Sequence, residues 1–477
     1  MLRGLEDSQE TSQKRVTDRQ NWWAEERGGQ GMLAHEPDEP ADLAAEEAEP
    51  GDGPQPGDFD LVGITPAATV DARDLDPGPV LLMVRNALSR IDEGAVLEIT
   101  RADDGLSDDL GGWCRLNGCE IVASLDAGAD RTWLLRKGPT APAWEKPDWG
   151  ISLPRRDGRR IDLRDWFEGR VADVPDEAPT YYGFVPRGAV AEPGMPSYPF
   201  TLNTKADVWA DNIAGLYEQA KAQQWNASED IPWDRLEALP DDMERAVCQI
   251  MTFLAENEYA ALYIPAKFLP RINARFVEPV LFLATIINDE ARHIEVFTKR
   301  ALANGGGLQY SAAMTEWSLQ SLLLQEDYFK SSFLLHVLGE GTFLDLLAYI
   351  ENHAPDPVTA EVVRRARLDE GRHVAYGIAH VRQQLRHDPT RVEELVASAE
   401  ERSAVLQATT GVNPPVLEAL TILGGGGSSP EQRRRGGEAV RQLHRSMDDY
   451  RIRRMLQVGL DRPTAEKISQ LHTPNFM

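Results

Sequence analysis

Two short stretches of the sequence repeat one arrangement of side chains: DEARH at residues 289–293 and DEGRH at residues 369–373. In each stretch a glutamate precedes a histidine by three positions, and residues three apart on an α-helix project from the same face. Each stretch would therefore form a preset carboxylate–imidazole pair, Glu290 with His293 and Glu370 with His373. Two such pairs predict two helices that face each other across a metal site.

Two apolar stretches carry a glutamate where the helical period calls for a hydrophobic residue. One covers residues 241–268, with Glu258 in the gap and Glu256 as the alternative. The other covers residues 317–350, with Glu340 inside a stripe of Phe, Val and Leu. Helical bundles that hold two metal ions combine two Glu-x-x-His helices with one glutamate from each of two others. The candidate metal ligands are therefore Glu258 (or Glu256), Glu290, His293, Glu340, Glu370 and His373.

The aspartate that begins each motif is expected to support a ligand histidine. Buried carboxylates are costly unless they are paired or bound to metal, so four glutamates in one core favour a cation between them. A metal-bound histidine usually donates its other N–H to a carboxylate or carbonyl. We therefore expect Asp289 and Asp369 each to reach the histidine of the opposite helix. For Arg292 and Arg372, outward ion pairs and a network that closes the site are equally open.

Helix boundaries fit this arrangement. The glycines at 305–307 should end the helix of the first motif, and Asp356 followed by Pro357 is typical of the start of the second. Gly339 and Gly341 flank Glu340 inside a predicted helix, where each costs about 0.5–1 kcal/mol relative to alanine. Close packing or a local bulge beside the metal would explain them.

With these motifs, residues 211–386 resemble the ferritin-like superfamily of di-iron oxidases and oxygenases. Similar groups are bacterial multicomponent monooxygenase hydroxylases, acyl-carrier-protein desaturases and R2-like ligand-binding oxidases, and WNASEDIPW at residues 225–233 is similar to their entry segment. The resemblance implies an all-α four-helix bundle that binds two iron ions, or one manganese and one iron. It also implies O₂ and a small organic molecule as substrates, with an electron donor as a partner. A non-catalytic metal protein and a ferroxidase store are the alternatives.

At one position the chain departs from a class of proteins within this superfamily. Radical-storing ribonucleotide reductase small subunits carry a tyrosine one turn after the first ligand histidine, where this chain has Phe297. A tyrosyl-radical reductase is therefore disfavoured. We expect Tyr259, Tyr263 and Tyr376 to pack in the core.

Residues 61–138 predict a separate, small α+β two-layer sandwich, with strands at 68–71, 95–100, 120–125 and 131–136 and helices at 80–91 and 105–117. DARDLDPGP at residues 71–79 and WCRLNG at 113–118 resemble the TusA/SirA-like sulfur carriers. The persulfide cysteine of that family is replaced by Asp76, and a carboxylate cannot carry a persulfide. We expect Cys114 and Cys119 to be small core residues and the unit to be a docking or structural module. A docking partner in a sulfur-related pathway is the alternative function.

Amino-acid composition predicts the order or disorder of the remaining regions. Residues 1–60 are acidic and poor in large hydrophobic residues, which predicts disorder. Residues 139–205 are rich in proline and aromatic residues, and we expect them to pack on the bundle at 206–390. Residues 391–477 should add C-terminal helices, with a flexible loop at 424–437.

Charge and cysteine content indicate which binding partners and which compartment to expect for the protein. A net charge of −27 argues against binding to nucleic acid or to an anionic membrane surface. The sequence has no run of 18 consecutive apolar residues and no apolar signal core near its N-terminus, and three cysteines fit a reducing compartment. We expect a cytoplasmic protein, with a homodimer as one compatible state.

Overall fold

The structure, a computed structural model, describes residues 64–102, 105–139, 174–189, 195–407 and 413–472. These parts of the chain are mostly helical, with one small sheet toward the N-terminus. The acidic segment at 1–60 lies outside the described residues, as does most of the proline-rich connection. The predictions of disorder and of packing on the bundle therefore stay predictions there.

A small α+β unit comes first. Its strands are β1 (Ala68–Asp71), β2 (Val96–Arg101), β3 (Glu120–Ala127) and β4 (Asp130–Arg136), and its helices are α1 (Pro77–Leu88) and α2 (Ser107–Asn117). The sheet has the order β1-β2-β4-β3, with β1 and β2 parallel and the other pairs antiparallel. All six elements lie within a few residues of their predicted positions. The resemblance to sulfur carriers stays a prediction.

The cysteines of this unit lie in or beside its hydrophobic core. Cys114 is buried with Val84, Leu97 and Trp133, and Cys119 packs half-buried against the same core. Burial raises the pKa of the Cys114 thiol to about 12 and also raises that of Cys119. Both thiols are therefore protonated at neutral pH, as expected for small packing residues.

The remaining regular structure is helical. The helices are α3 (Lys205–Val208), α4 (Ile213–Ala222), α5 (Asp241–Phe268), α6 (Val277–Ala303), α7 (Ala313–Leu323), α8 (Tyr328–Ser332), a π-helix (Phe333–Gly339), α9 (Glu340–His353), α10 (Pro357–His387), α11 (Val392–Gln407), α12 (Pro414–Gly425), α13 (Pro430–Val458) and α14 (Arg462–Leu471). Helices α5, α6, α9 and α10 carry the predicted ligands and form the centre of the bundle. Their apolar faces belong to one continuous hydrophobic core.

The predicted boundaries of the motif helices are confirmed. Helix α6 ends at Ala303, and Gly305 and Gly307 follow with φ of +79° and +77°, a conformation that glycine adopts without strain. Helix α10 begins after Asp356, whose Oδ1 accepts hydrogen bonds from the backbone N–H groups of Val358 and Thr359, at 2.9 Å each. These caps satisfy backbone donors that the first turn of a helix leaves open.

The helix predicted over residues 317–350 is wrong as a single element. Helix α7 stops at Leu323, and α8 begins after Asp327, which caps it by accepting from the backbone N–H of Lys330. The π-helix then follows and ends at Gly339, immediately before Glu340. The local bulge expected from the glycines is thus present, because a π-helix is a widened turn.

Gly341 confirms the other explanation expected for these glycines, which was close packing. A Cβ at this position would lie 2.5 Å from Nε of Arg454 on α13. Arg454 donates to Oδ2 of Asp345 on α9 at 3.0 Å, which holds it against that helix. The glycine therefore lets the C-terminal helix approach the helix that carries Glu340.

The flexible loop predicted at residues 424–437 is also wrong. Helix α13 already begins at Pro430, behind a capping box in which Ser429 and Gln432 satisfy each other's backbone N–H groups. A Cβ on Gly436 would lie 1.9 Å from the carbonyl oxygen of Thr421 on α12. The glycines that suggested a loop instead permit close contact between two helices.

One stretch, Tyr328–His353, is long and apolar enough to cross a membrane. In this bundle 83% of its most apolar window is buried inside the protein. A core helix has the same hydropathy as a membrane span because both are surrounded by apolar groups.

Candidate metal centre

The bundle brings all six preferred ligand candidates together. Each is at most 2% exposed, in the middle of the four-helix core. Their side chains form two overlapping groups in which the possible ligand atoms lie within 4.8 Å of one another. One group contains Glu258, Glu290, His293 and Glu370, and the other contains Glu290, Glu340, Glu370 and His373. Glu290 and Glu370 belong to both groups, so the glutamates of the two motifs lie between two adjacent metal positions.

Both histidines point the same ring nitrogen into the cluster. Nδ1 of His293 lies 3.1 Å from Oε2 of Glu290, 3.4 Å from Oε1 of Glu370 and 3.7 Å from Oε1 of Glu258. Nδ1 of His373 lies 3.0 Å from Oε1 of Glu290 and 3.3 Å from Oε2 of Glu370. Each imidazole therefore offers one nitrogen to the space that the glutamates surround.

Several buried polar atoms of the cluster have no hydrogen-bond partner among the described residues. They are Oε1 of Glu258, Glu290 and Glu340, both carboxylate oxygens of Glu370, and Nδ1 of His373. Such atoms are costly to bury unless something satisfies them. Carboxylate oxygen and imidazole nitrogen are the ligands that iron and manganese take in proteins. The donor set thus fits two metal ions, and the cluster is able to bind a di-metal cofactor.

The aspartates lie on the outer side of the histidines. Nε2 of His293 is 3.2 Å from Oδ2 of Asp369, and Nε2 of His373 is 3.4 Å from Oδ2 of Asp289. Each aspartate thus lies beside the histidine of the opposite helix, as the sequence argument expected. An ionised carboxylate can accept but not donate, so Nε2 carries a hydrogen, and Nδ1 would offer its lone pair to a metal that displaces the proton there.

The two motif arginines join the aspartates in a buried ring. Nη2 of Arg292 donates to Asp289 at 2.5 Å and to Asp369 at 2.9 Å. Nη2 of Arg372 donates to the same two residues, Asp369 at 2.5 Å and Asp289 at 2.9 Å. Of the two alternatives left open for the arginines, the structure has the network. Because two arginines balance two aspartates, the charge of the glutamates remains for a metal to neutralise.

The segment after α4 covers this ring. Gln223 and Gln224 accept from Nη1 of Arg372 and Arg292, at 2.8 and 2.7 Å. The indole Nε1 of Trp225 donates to Oδ2 of Asp369 at 2.7 Å. The guanidinium of Arg292 lies over the Trp225 ring, 4.7 Å from its centroid. Trp225 was singled out in sequence as the start of an entry segment, but its contact with Asp369 could not be predicted.

The histidines and aspartates shift each other's proton affinity. Burial lowers the pKa of His293 and His373, yet the surrounding carboxylates outweigh it and hold both values well above the usual range. Burial raises the pKa of Asp289, but its hydrogen bond to His373 and the nearby positive charges lower it to about 2. The pKa of Asp369 is lowered for the same reasons, with His293 as its partner. The aspartates therefore stay ionised.

Glu258 lies closest to being protonated because of burial and of the carboxylates around it. Burial raises its pKa well above the usual value, and the charges of Glu290 and Glu370 raise it further. Like charges held together in a dry core favour protonation. A metal ion would relieve this repulsion and displace the proton.

Glu256, the alternative first ligand, lies outside both metal-binding groups. Burial and the carboxylate of Glu316 on α7 raise its pKa to about 8. The two tyrosines that follow it were expected in the core, and that expectation is wrong. Tyr259 and Tyr263 are 50% and 55% exposed and stack on each other with ring centroids 6.5 Å apart. Their side chains lie on the outer face of α5.

The other aromatic candidates are buried. Phe297 is completely enclosed, with its ring 6.2 Å from the imidazole of His293. Tyr376 is also enclosed, as expected, and its hydroxyl shares a short hydrogen bond with that of Tyr328. These rings contribute to the apolar wall around the cluster.

Sequence reasoning missed one residue beside the cluster. His336, on the π-helix, is buried, and its Nδ1 lies 2.7 Å from Oε2 of Glu340. The available signal was its position four residues before Glu340, which places both on one helical face. A single histidine in an apolar stripe is too common to be noticed without that partner.

Comparisons with known proteins give distant likenesses. No protein-family model matches the chain, and no curated protein is significantly similar to it in sequence. Among solved structures, an R2-like ligand-binding oxidase variant with an aerobically reconstituted Mn/Fe cofactor is 20% identical, covering 54% of this chain and 94% of that chain, with a TM-score of 0.39. Another variant of that oxidase, with an aerobically reconstituted Fe/Fe cofactor, is 20% identical over 53% of this chain and 95% of that chain, with a TM-score of 0.40.

Proposed function

We propose that this protein is a ferritin-like di-metal oxidoreductase that uses O₂ to oxidise a small organic substrate, with an electron donor as partner. The observation that supports it is the pair of overlapping ligand groups, which share Glu290 and Glu370. Two metal positions this close suit chemistry in which both ions act on one small molecule. When bound, two iron ions, or one manganese and one iron, supply the electrons that reduce O₂.

The chain's own residues have distinct tasks in this proposal. Glu258, Glu290, Glu340 and Glu370 neutralise the charge of the metals, while His293 and His373 hold one metal each through Nδ1. Asp289 and Asp369 keep a hydrogen on Nε2 of the opposite histidine and so fix the orientation of its ring. Arg292 and Arg372 help to keep those aspartates ionised through the buried ring that the four residues form.

The helix positions next to the ligands exclude water. Leu254, Ile286 and Ala366 each stand one turn before a ligand glutamate and are completely buried. Phe297 stands one turn after His293 and is buried as well. An apolar wall of this kind strengthens electrostatic interactions inside the site and protects reactive species from hydrolysis.

Reconstitution of the purified protein with iron(II), or with manganese(II) and iron(II), tests the proposal. We expect about two metal ions per chain, as the ligand count requires, and consumption of O₂ by the reduced protein. Protein with Glu290→Ala should bind less metal and consume no O₂ above background. Continued uptake of many iron ions per chain would instead indicate a store, and failure of the wild-type chain to bind metal would refute the proposal.

A further inference from the structure

The two Glu-x-x-His motifs have different neighbours one turn farther along their helices. After His293 that neighbour is Phe297, and after His373 it is Gly377. A Cβ at Gly377 would lie 2.3 Å from Cβ of His336. The glycine therefore makes the space in which His336 sits, whereas the equivalent space on α6 holds a phenyl ring.

The helices with single glutamates differ at a matching place. Four residues before Glu340 stands His336, and four residues before Glu258 stands Leu254. Both are buried, at 2% and 0% exposure. A hydrogen-bonding imidazole thus accompanies one of the two glutamates and an aliphatic side chain accompanies the other.

The contact between His336 and Glu340 orients the carboxylate. Nδ1 of His336 donates to Oε2 of Glu340 at 2.7 Å, since an ionised carboxylate can only accept. The other oxygen, Oε1, has no hydrogen-bond partner among the described residues. Glu340 is one of the candidate ligands in the group that contains His373. The imidazole is itself held in place, because its ring packs edge-on against Tyr376 with centroids 5.6 Å apart.

We propose that His336 is a positioning residue that fixes Oε2 of Glu340 and turns Oε1 toward the metal position of His373, so that the two metal positions differ in affinity. This inference rests on the proposed di-metal function. Groups that hydrogen-bond to a metal ligand typically change metal affinity by about 10–100-fold when they are removed. Glu258 has Leu254 in the corresponding place, so its position gains no such support.

Stepwise metal binding tests the proposal. Cobalt(II) is the probe, because its visible absorption reports each bound ion, and a competing chelator gives both affinities. We expect His336→Leu to weaken binding at one position by about 10–100-fold and to leave the other unchanged. His336→Gln, which keeps an N–H donor, should recover most of the loss.

Two further variants separate positioning from packing. His380→Leu removes another fully buried imidazole, one whose Nδ1 lies 2.9 Å from Oγ of Ser332 rather than beside a glutamate, and should leave both affinities unchanged. Gly377→Ala keeps His336 but pushes it away from α10, and should weaken the same position as His336→Leu. Far-ultraviolet circular dichroism confirms that each variant is folded.

Four results would overturn the inference. Unchanged affinities in folded His336→Leu protein would show that the contact does not matter. An equal loss at both positions, or the same loss in His380→Leu, would show a general packing effect. Complete loss of one cobalt ion, as in Glu340→Ala, would make His336 a ligand itself. If the wild-type chain bound no cobalt, the proposed function would fail instead.

Discussion

Each cluster histidine uses its two ring nitrogens for opposite purposes. Nδ1 of His293 faces the glutamates, and Nε2 faces Asp369, which Arg292 and Arg372 hold from behind. The ring is therefore oriented before any metal arrives. Preorganised ligands lose little freedom on binding, which favours tight and geometrically defined coordination.

The choice of ligand on α5 gives the first prediction. Glu258→Ala should lower the metal content from about two ions per chain to about one, because Glu258 belongs only to the group of candidate ligands that contains His293. Glu256→Ala should retain both ions, since Glu256 faces Glu316 instead. Metal analysis of the two purified variants decides the matter. Equal depletion in both would contradict the assignment of Glu258.

The aspartate ring gives the second prediction. Asp369→Asn removes the charge that faces Nε2 of His293 and leaves Arg292 and Arg372 without one of their two acceptor carboxylates. Metal affinity should fall by about 10–100-fold, the usual effect of losing a carboxylate behind a ligand histidine. Competition with a chelator measures the change. An unchanged affinity would mean that the ring serves stability alone.

At the scale of single elements, sequence periodicity predicted some helices well and others poorly. Helix α5 has its predicted bounds, because caps and apolar spacing act locally. The π-helix could be anticipated from Gly339 and Gly341 as a bulge, but neither its length nor His336 could be assigned. Both depend on α10, where Gly377 opens the necessary space. The first two turns of helix α13 were predicted as a loop because Gly436 packs on α12, a contact between elements that local rules do not contain.

Two glycines next to ligand glutamates should respond differently to alanine. At Gly341 a Cβ would collide with Arg454, so Gly341→Ala should destabilise the protein by about 1–3 kcal/mol. At Gly371 a Cβ would meet nothing within 4 Å, so Gly371→Ala should stabilise helix α10 by about 0.5–1 kcal/mol. Urea unfolding of the metal-free variants measures both. Destabilisation by Gly371→Ala would refute the open space at that position.

For the whole molecule, metal binding and folding are linked. Burial raises the pKa of Glu258, and the charges of Glu290 and Glu370 raise it further, so the folded chain holds carboxylates that a cation would stabilise. An ion that binds only the folded chain, present at a free concentration 100 times its dissociation constant, adds about 2.7 kcal/mol to the free energy of unfolding. The wild-type melting temperature should therefore rise when metal is added. Protein with Glu370→Ala should show a much smaller rise, and an equal one would place the stabilising ions elsewhere.

The N-terminal unit adds a prediction about the intact chain. Its thiols are protonated at neutral pH because burial raises the pKa of Cys114 and Cys119. Replacing both by serine should leave O₂-dependent turnover largely unchanged, apart from a small loss of packing in that unit. Mass spectrometry after treatment with a sulfur donor provides the check. A persulfide on either cysteine, together with lost turnover in the double variant, would make sulfur chemistry part of the function.

The buried ring of aspartates and arginines also has a consequence for hydrogen exchange. The hydrogens on Nε2 of His293 and His373 lie behind this ring, with Gln223, Gln224 and Trp225 covering it. To reach solvent, they need a local opening that separates two arginines from two aspartates at once. Such openings are rare in the densest part of a fold. Both imidazole hydrogens should therefore exchange slowly with water and give separate downfield proton resonances in the zinc-loaded protein.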